Sequence, residues 1–265
     1  MNGSVDAASG TRFPFGENWL HFLHLVDETR VAAACDSLTA LLPLGGWRDR
    51  SFIDVGCGSG LFSLAARRLG ASVHSFDFDA KAVACTRELR RRYAPDDPAW
   101  VIEQGSILDE SYVGALGEFD AVYSWGVLHH TGDLWRSLEM AGRLVAPGGY
   151  MAVAIYNDQG WLSRYWGAVK RLYNRAPVYR MGLLAVHAPY FIGARLLFRA
   201  LTGRPVGRRG MSPWYDLKDW LGGYPFEVAS PARVTAYCAG RGFRLIASKD
   251  CGRRHGCNEF VFQQR

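Results

Sequence analysis

Short apolar runs alternate with longer stretches of helical spacing between residues 51 and 156. The runs at 51–55, 72–76, 100–103, 121–124 and 150–156 predict strands, and 61–69, 81–93 and 133–144 predict helices. The last helix carries Leu134, Leu138, Ala141 and Val145 on one stripe. Pro95 and Pro98 mark a loop, and Pro147-Gly148-Gly149 turns into the fifth strand. Such alternation predicts an α/β chain with a parallel sheet, helices on both faces, and ligands beyond the carboxyl ends of the strands. The end of the chain differs. Residues 243–249 and 259–263 are two strands joined by a turn too short for a parallel crossover, so they predict an antiparallel hairpin. Its turn spans 250–258.

Two regions interrupt this regular pattern. Residues 11–50 read as helical, with apolar periodicity over 19–25 and 28–42 and with Phe13, Phe15 and Trp19 placed either to close over a ligand or to pack. Residues 158–227 read as an insertion. Leu162, Tyr165, Trp166, Val169 and Leu172 form one face of a helix there. The apolar stretch 181–198 is broken by His187, Pro189 and Arg195, which argues against a membrane span. A basic loop, 203–210, and an aromatic stretch with Trp214, Tyr215, Trp220 and Tyr224 follow. The expected organisation is therefore a helical cap (1–50), a core (51–157 with 228–265) and an insertion (158–227).

With 265 residues, 49% of them hydrophobic, the chain can bury a full core, and intrinsic disorder is excluded. Residues 1–10 lack the basic-then-apolar pattern of a signal peptide, and the six cysteines are scattered, so reduced thiols and a cytoplasmic location are expected. Cys251, His255 and Cys257 lack the second cysteine pair of a zinc site, and no metal is expected. The net charge of +6 is unevenly placed. Ten of the 31 Lys and Arg lie between Trp161 and Trp214, a span with none of the 25 Asp and Glu. The basic character belongs to the insertion.

Chemistry enters with Phe52-Ile53-Asp54-Val55-Gly56-Cys57-Gly58-Ser59-Gly60-Leu61, which reads as strand, glycine turn, helix. Glycines let backbone amides approach a ligand, and Asp77, ending the next strand, stands at the distance where a carboxylate accepts ribose hydroxyls. A nucleoside-containing cofactor follows. The dinucleotide fingerprint places its third glycine where Leu61 stands, and Asp54 would repel a pyrophosphate but suit an ammonium group.

The pattern Asp54-x-Gly56-x-Gly58-x-Gly60 resembles motif I of the class I S-adenosylmethionine-dependent methyltransferases. Tyr123-Ser124-Trp125-Gly126-Val127-Leu128-His129-His130 resembles the tract after strand 4 in their small-molecule branch, nearest to ubiquinone-pathway O-methyltransferases and natural-product methyltransferases. The resemblance covers 51–157 and, more loosely, 228–265. It implies a Rossmann-like, seven-stranded, mostly parallel sheet with an antiparallel C-terminal hairpin, and S-adenosyl-L-methionine as cofactor. By position, Gly56, Gly58 and Gly60 would wrap the methionyl part, Asp54 would anchor the amine, and Asp77 the ribose. Phe78 would lie against the adenine, Ser106 and Ile107 would meet its edge, and the Ser124 carbonyl would face the ammonium. Many members carry Asp where this chain has Ser106.

Methyl transfer is an in-line displacement, in which alignment contributes about 7–11 kcal/mol and a base about 10²–10⁴-fold. His129 and His130 are the candidate bases, with Tyr156 and Asn157 beside the same cleft. Trp214, Tyr215, Trp220 and Tyr224 of the insertion are candidates to line the acceptor site, with Arg253 and His255 of the hairpin turn for an anionic group. A small or lipid-like acceptor, O-methylated before N-methylated, is the expected substrate. The basic insertion suits an anionic acceptor or peripheral contact with a membrane surface. The alternative is an RNA or protein methyltransferase docking through the insertion. Nucleic acid is the less expected partner, because the Asn/Asp-Pro-Pro-Tyr/Phe tetrapeptide of RNA amino-methyltransferases is absent after strand 4.

Overall fold

The structure is a computed structural model that describes residues 23, 25–193, 213–252 and 256–265. It divides into two compact units: the larger comprises Glu227–Arg265 and the described part of Phe15–Gln159, and the smaller comprises the described part of Gly160–Phe226.

The larger unit begins with α1 (Glu28–Leu41), started by the Asp27 carboxylate, which accepts the Arg30 amide. Then come β1 (Ser51–Val55), α2 (Leu61–Leu69), β2 (Ser72–Asp77), α3 (Ala80–Tyr93), β3 (Trp100–Gln104), α4 (Glu110–Ala115), β4 (Phe119–Trp125), α5 (Leu134–Arg143) and β5 (Val145–Tyr156). The chain leaves for α6 (Trp161–Arg175), α7 (Pro177–Ala188) and α8 (Pro213–Gly222) of the smaller unit. It returns with α9 (Pro231–Ala239), β6 (Phe243–Lys249) and β7 (Cys257–Gln264).

The seven strands form one sheet in the order β3-β2-β1-β4-β5-β7-β6. The first five run parallel, and β7 is antiparallel to both β5 and β6. The expected Rossmann-like sheet with its terminal hairpin is therefore present. Strand order reverses between β1 and β4, so the crevice of this doubly wound sheet opens at the tips of those strands. The expected turn at residues 147–149 is a bulge inside β5: Val145 pairs with Phe119, and the register resumes at Tyr150 opposite Ala121. Gly149 fits there because a Cβ would come within 2.9–3.1 Å of three carbonyl oxygens.

Each face of the sheet carries an apolar layer. Ile53, Val55, Phe76, Val122 and Val153 pack with α5 and α9. Phe52, Val73, Trp100, Ala121 and Ala152 pack beneath α1, α2 and α3 through Leu38, Leu64 and Leu89. Residues 28–41 thus belong to the core layer. Phe13, Phe15 and Trp19 lie outside the described residues. In the smaller unit, Trp166, Val169, Tyr173, Leu217 and Leu221 form a separate core.

Leu38 is fully buried. Leu38→Ala is expected to lower stability to urea by about 2–5 kcal/mol. A loss near zero would show α1 to be a detachable cap.

Candidate functional site

The turn after β1 is shaped by left-handed glycines: Gly56, Gly58 and Gly60 have φ of 80°, 54° and 79°. Space is as tight as conformation. A Cβ on Gly56 would lie 2.4 Å from Val127 Cγ1, and one on Gly60 would lie 2.7 Å from Thr86 Cγ2. The Phe76 carbonyl accepts the amides of Gly56 and Cys57 at 2.9 and 3.1 Å, tying the turn to the tip of β2. Asp77 completes the clamp. Its Oδ2 accepts the Gly58 amide at 3.0 Å and its Oδ1 the Asp79 amide at 2.9 Å.

Asp54 lies beneath this turn, buried on the face shared with α2. Ser63 Oγ donates to Asp54 Oδ2 at 2.5 Å, Ser75 Oγ donates to Ser63 Oγ at 2.8 Å, and Trp100 Nε1 donates to Ser75 Oγ at 2.9 Å. All four residues are buried. An indole N–H can only donate. The Trp100 N–H donates into this chain, which ends at the Asp54 carboxyl. Ser63, Ser75 and Trp100 were not foreseen from sequence; the available signal was two serines at core-facing positions of predicted elements.

Burial dominates the electrostatics. It pushes the Asp54 carboxyl up to about 7 against the Ser63 hydrogen bond, with Asp77 adding repulsion. Burial also pushes Asp77 up to about 6, against the amides of Asp79 and Gly58. The Cys57 thiol is raised well above its usual range by burial beside both carboxylates, so it stays protonated. Neither Asp54 nor Asp77 forms an ion pair with a described Lys or Arg. Two carboxylates thus lie at the glycine turn without an ion-pair partner among the described residues.

The other sequence-selected residues separate into two groups. Phe78 stands at the rim, 56% exposed, and Ser106 lies half-buried with Oγ accepting the Leu108 amide. Ile107 is buried, and Ser124 is buried with its hydroxyl donating to the Val55 carbonyl. His129 and His130 occupy a short 3-10 turn after β4. They differ sharply. His129 is fully buried, its Nδ1 accepts the Tyr156 amide at 3.3 Å, and its ring lies 3.9 Å from that of Tyr156. In this structure His129 packs between β4 and β5 and is not exposed to an acceptor. His130 is half-buried, edge-on to Tyr156 at 5.4 Å.

Asn157 is half-buried. Its Nδ2 donates to the Gly252 carbonyl and its Oδ1 accepts from Asn258, so its amide braces the β6–β7 turn against β5. Trp220 is half-buried and packs against the smaller unit's core, edge-on to Trp166 at 5.5 Å. Tyr224 is half-buried before a cis bond to Pro225. The side chains of Trp214 and Tyr215, and Arg253 and His255 altogether, lie outside the described residues. Among the described residues no group of His, Cys, Asp and Glu could hold a metal.

A doubly wound sheet with antiparallel closing strands and a clamped glycine turn at its switch point defines a Rossmann-like domain of the methyltransferase type. A family model described as a methyltransferase domain matches residues 26–195, and the chain belongs to that family. It is 32% identical over 171 residues to a ubiquinone biosynthesis O-methyltransferase of Methylocella silvestris, covering 58% of this chain and 65% of that protein. It is 34% identical to an uncharacterized methyltransferase of Mycobacterium bovis, covering 49% of this chain and 60% of that one. The chain thus spans just under two thirds of these relatives' lengths. The crystal structure of magnesium protoporphyrin IX methyltransferase from Synechocystis with bound SAH superposes with a TM-score of 0.55 at 13% identity, over 100% of this chain and 90% of that one. That likeness shows a shared fold.

A carboxyl raised from 3.8 to about 7 binds its proton more tightly in the native than in the unfolded chain. Its contribution is complete below the unfolded value and declines as pH rises towards 7. Wild type is therefore expected to lose about 3 °C or more in melting temperature relative to Asp54→Asn between pH 5 and pH 8. Parallel melting curves across that range would contradict the assignment.

Proposed function

We propose that this chain transfers a methyl group from S-adenosyl-L-methionine to a small or lipid-like acceptor, an oxygen before a nitrogen. The observation that supports this most is the pair Asp54 and Asp77 at the glycine turn, neither with an ion-pair partner among the described residues. A dinucleotide would bring a pyrophosphate against those carboxylates, whereas S-adenosylmethionine brings an ammonium, a sulfonium and ribose hydroxyls. When bound, the cofactor supplies an electrophilic methyl group.

The chain's own residues provide position and charge. Gly56, Gly58 and Gly60 keep the turn free of side chains, so that backbone amides meet the ligand. Asp54 takes the ammonium directly or through water, and Asp77 takes the ribose hydroxyls. Phe78, Ser106 and Ile107 bound the adenine, and the Ser124 carbonyl faces the ammonium. His130 is the base candidate that an acceptor can reach, and Tyr156 borders it. Preference for oxygen rests on the similarity to ubiquinone biosynthesis O-methyltransferases, such as that of Methylocella silvestris. The insertion, with ten cations and no carboxylate between Trp161 and Trp214, handles an anionic or lipid-like acceptor.

Calorimetry with S-adenosylhomocysteine tests the cofactor site. Asp77→Ala is expected to weaken binding about 10–100-fold, the loss of hydrogen bonds to a charged group. His130→Ala is expected to leave that affinity unchanged and slow turnover about 10²–10⁴-fold. Unchanged affinity in Asp77→Ala would overturn the site.

A further inference from the structure

Helix α7 is apolar on both sides. Its inner side, Leu183, Leu184 and Ala188, packs on the core of the smaller unit, and His187 is buried with Nε2 against Tyr165 Oη at 2.9 Å and Nδ1 against the Leu183 carbonyl. Its outer side carries Val178, Met181, Ala185 and Val186 at helical spacing. Val178, Met181 and Val186 are 68%, 74% and 70% exposed. A helix of a water-soluble unit normally turns polar residues outward. A contiguous apolar outer stripe calls for a cover.

The charge around this stripe identifies the cover. No Asp or Glu occurs between Asp158 and Asp216, while Arg164, Arg171, Arg175 and Arg180 of α6 and α7 are exposed. Arg180 is held by the Tyr173 carbonyl and ring. Arg164, Arg171 and Arg175 form no ion pair among the described residues. A second copy on this stripe would set cation against cation. Trp161, Tyr165 and Tyr179 are also exposed, at 70%, 44% and 41%, the residue types that settle at a lipid–water boundary. At 12 residues α7 is about 18 Å long, and no described helix is long and apolar enough to cross a membrane.

We propose that the outer face of α7 docks flat into the interface of an anionic lipid bilayer, with the cations of α6 and α7 against the headgroups. This deepens the reading of the insertion as the acceptor-handling unit and names its partner. Vesicle binding is measured apart from cofactor binding, so the two readings fail separately.

Flotation of the full chain with phosphatidylcholine vesicles, with and without phosphatidylglycerol, tests the docking. Binding is expected only with phosphatidylglycerol and is expected to fall as salt is raised. Combined Met181→Asp and Val186→Asp is expected to weaken it at least about tenfold, with melting temperature and S-adenosylhomocysteine affinity unchanged. Absence of binding to anionic vesicles at low salt, or equal binding by the variant, would overturn the proposal. So would a lipid-independent dimer that the same substitutions dissociate, which would give the face to a second copy.

Discussion

The site depends on keeping two carboxylates buried at a glycine turn. Removing a carboxylate from water favours its neutral form, and here each is held by donors instead of by a cation. Asp77 receives two backbone amides, and Asp54 receives a hydroxyl proton. The hydroxyl chain begins at an indole N–H, which can only donate, and passes through Ser75 and Ser63 to Asp54. A residue two strands away thus belongs to the same buried polar chain as Asp54. The clamp works in both directions. The Gly58 amide stabilises Asp77, and Asp77 holds the turn at the backbone angles that only glycine adopts easily.

The sheet and the glycine turn were legible because each is a local pattern. Strand, turn and helix from Ser51 to Leu69 follow from adjacent residues, and the terminal hairpin from a loop too short for any other connection. Two helices of the larger unit escaped. α4 is a short helix of six residues, and α9 announces itself by Ser230 at its N-cap and Pro231 at its first position, a signal present but overlooked. The polar chain under Asp54 escaped for a deeper reason. Its members come from α2, β2 and β3, and only the pairing of β2 with β3 brings them together. The two histidines illustrate the same limit. Adjacent in sequence, His129 and His130 differ only in which way a 3-10 turn points them.

Charge counting needs a similar correction. Lys170 belongs to the ten cations of the insertion, yet it is fully buried. Its Nζ donates to the Trp220 carbonyl and lies 4.4 and 4.9 Å from the ring centres of Trp220 and Phe226. Asn174, one turn on, donates to the Gly222 carbonyl at 2.7 Å. Together they cap the carboxyl end of α8, where a cation meets the negative pole of the helix. Aromatic faces and a carbonyl offset part of the cost of burying this charge. Lys170 is thus a structural cation of the smaller unit's core.

The two units are out of charge balance in opposite senses, and the difference carries functional meaning. Structural charges in this chain find partners. Asp97 meets Arg67, Asp120 meets Arg50, and Glu110 meets Arg136 and Arg143. Against that background, Arg164, Arg171 and Arg175 of α6 and the carboxylates at the glycine turn form no ion pair among the described residues and are the exceptions. Unpaired charge beside apolar surface, or inside it, lowers stability, and it persists where a ligand supplies the missing sign. The turn has no ion-paired cation among the described residues, and under the proposed function the ammonium and sulfonium of the cofactor would supply one. The stretch from Trp161 to Trp214 has no Asp or Glu, and the docking proposed above would set it against lipid anions. A transferase that takes its cofactor from water and its acceptor from a bilayer would carry both imbalances.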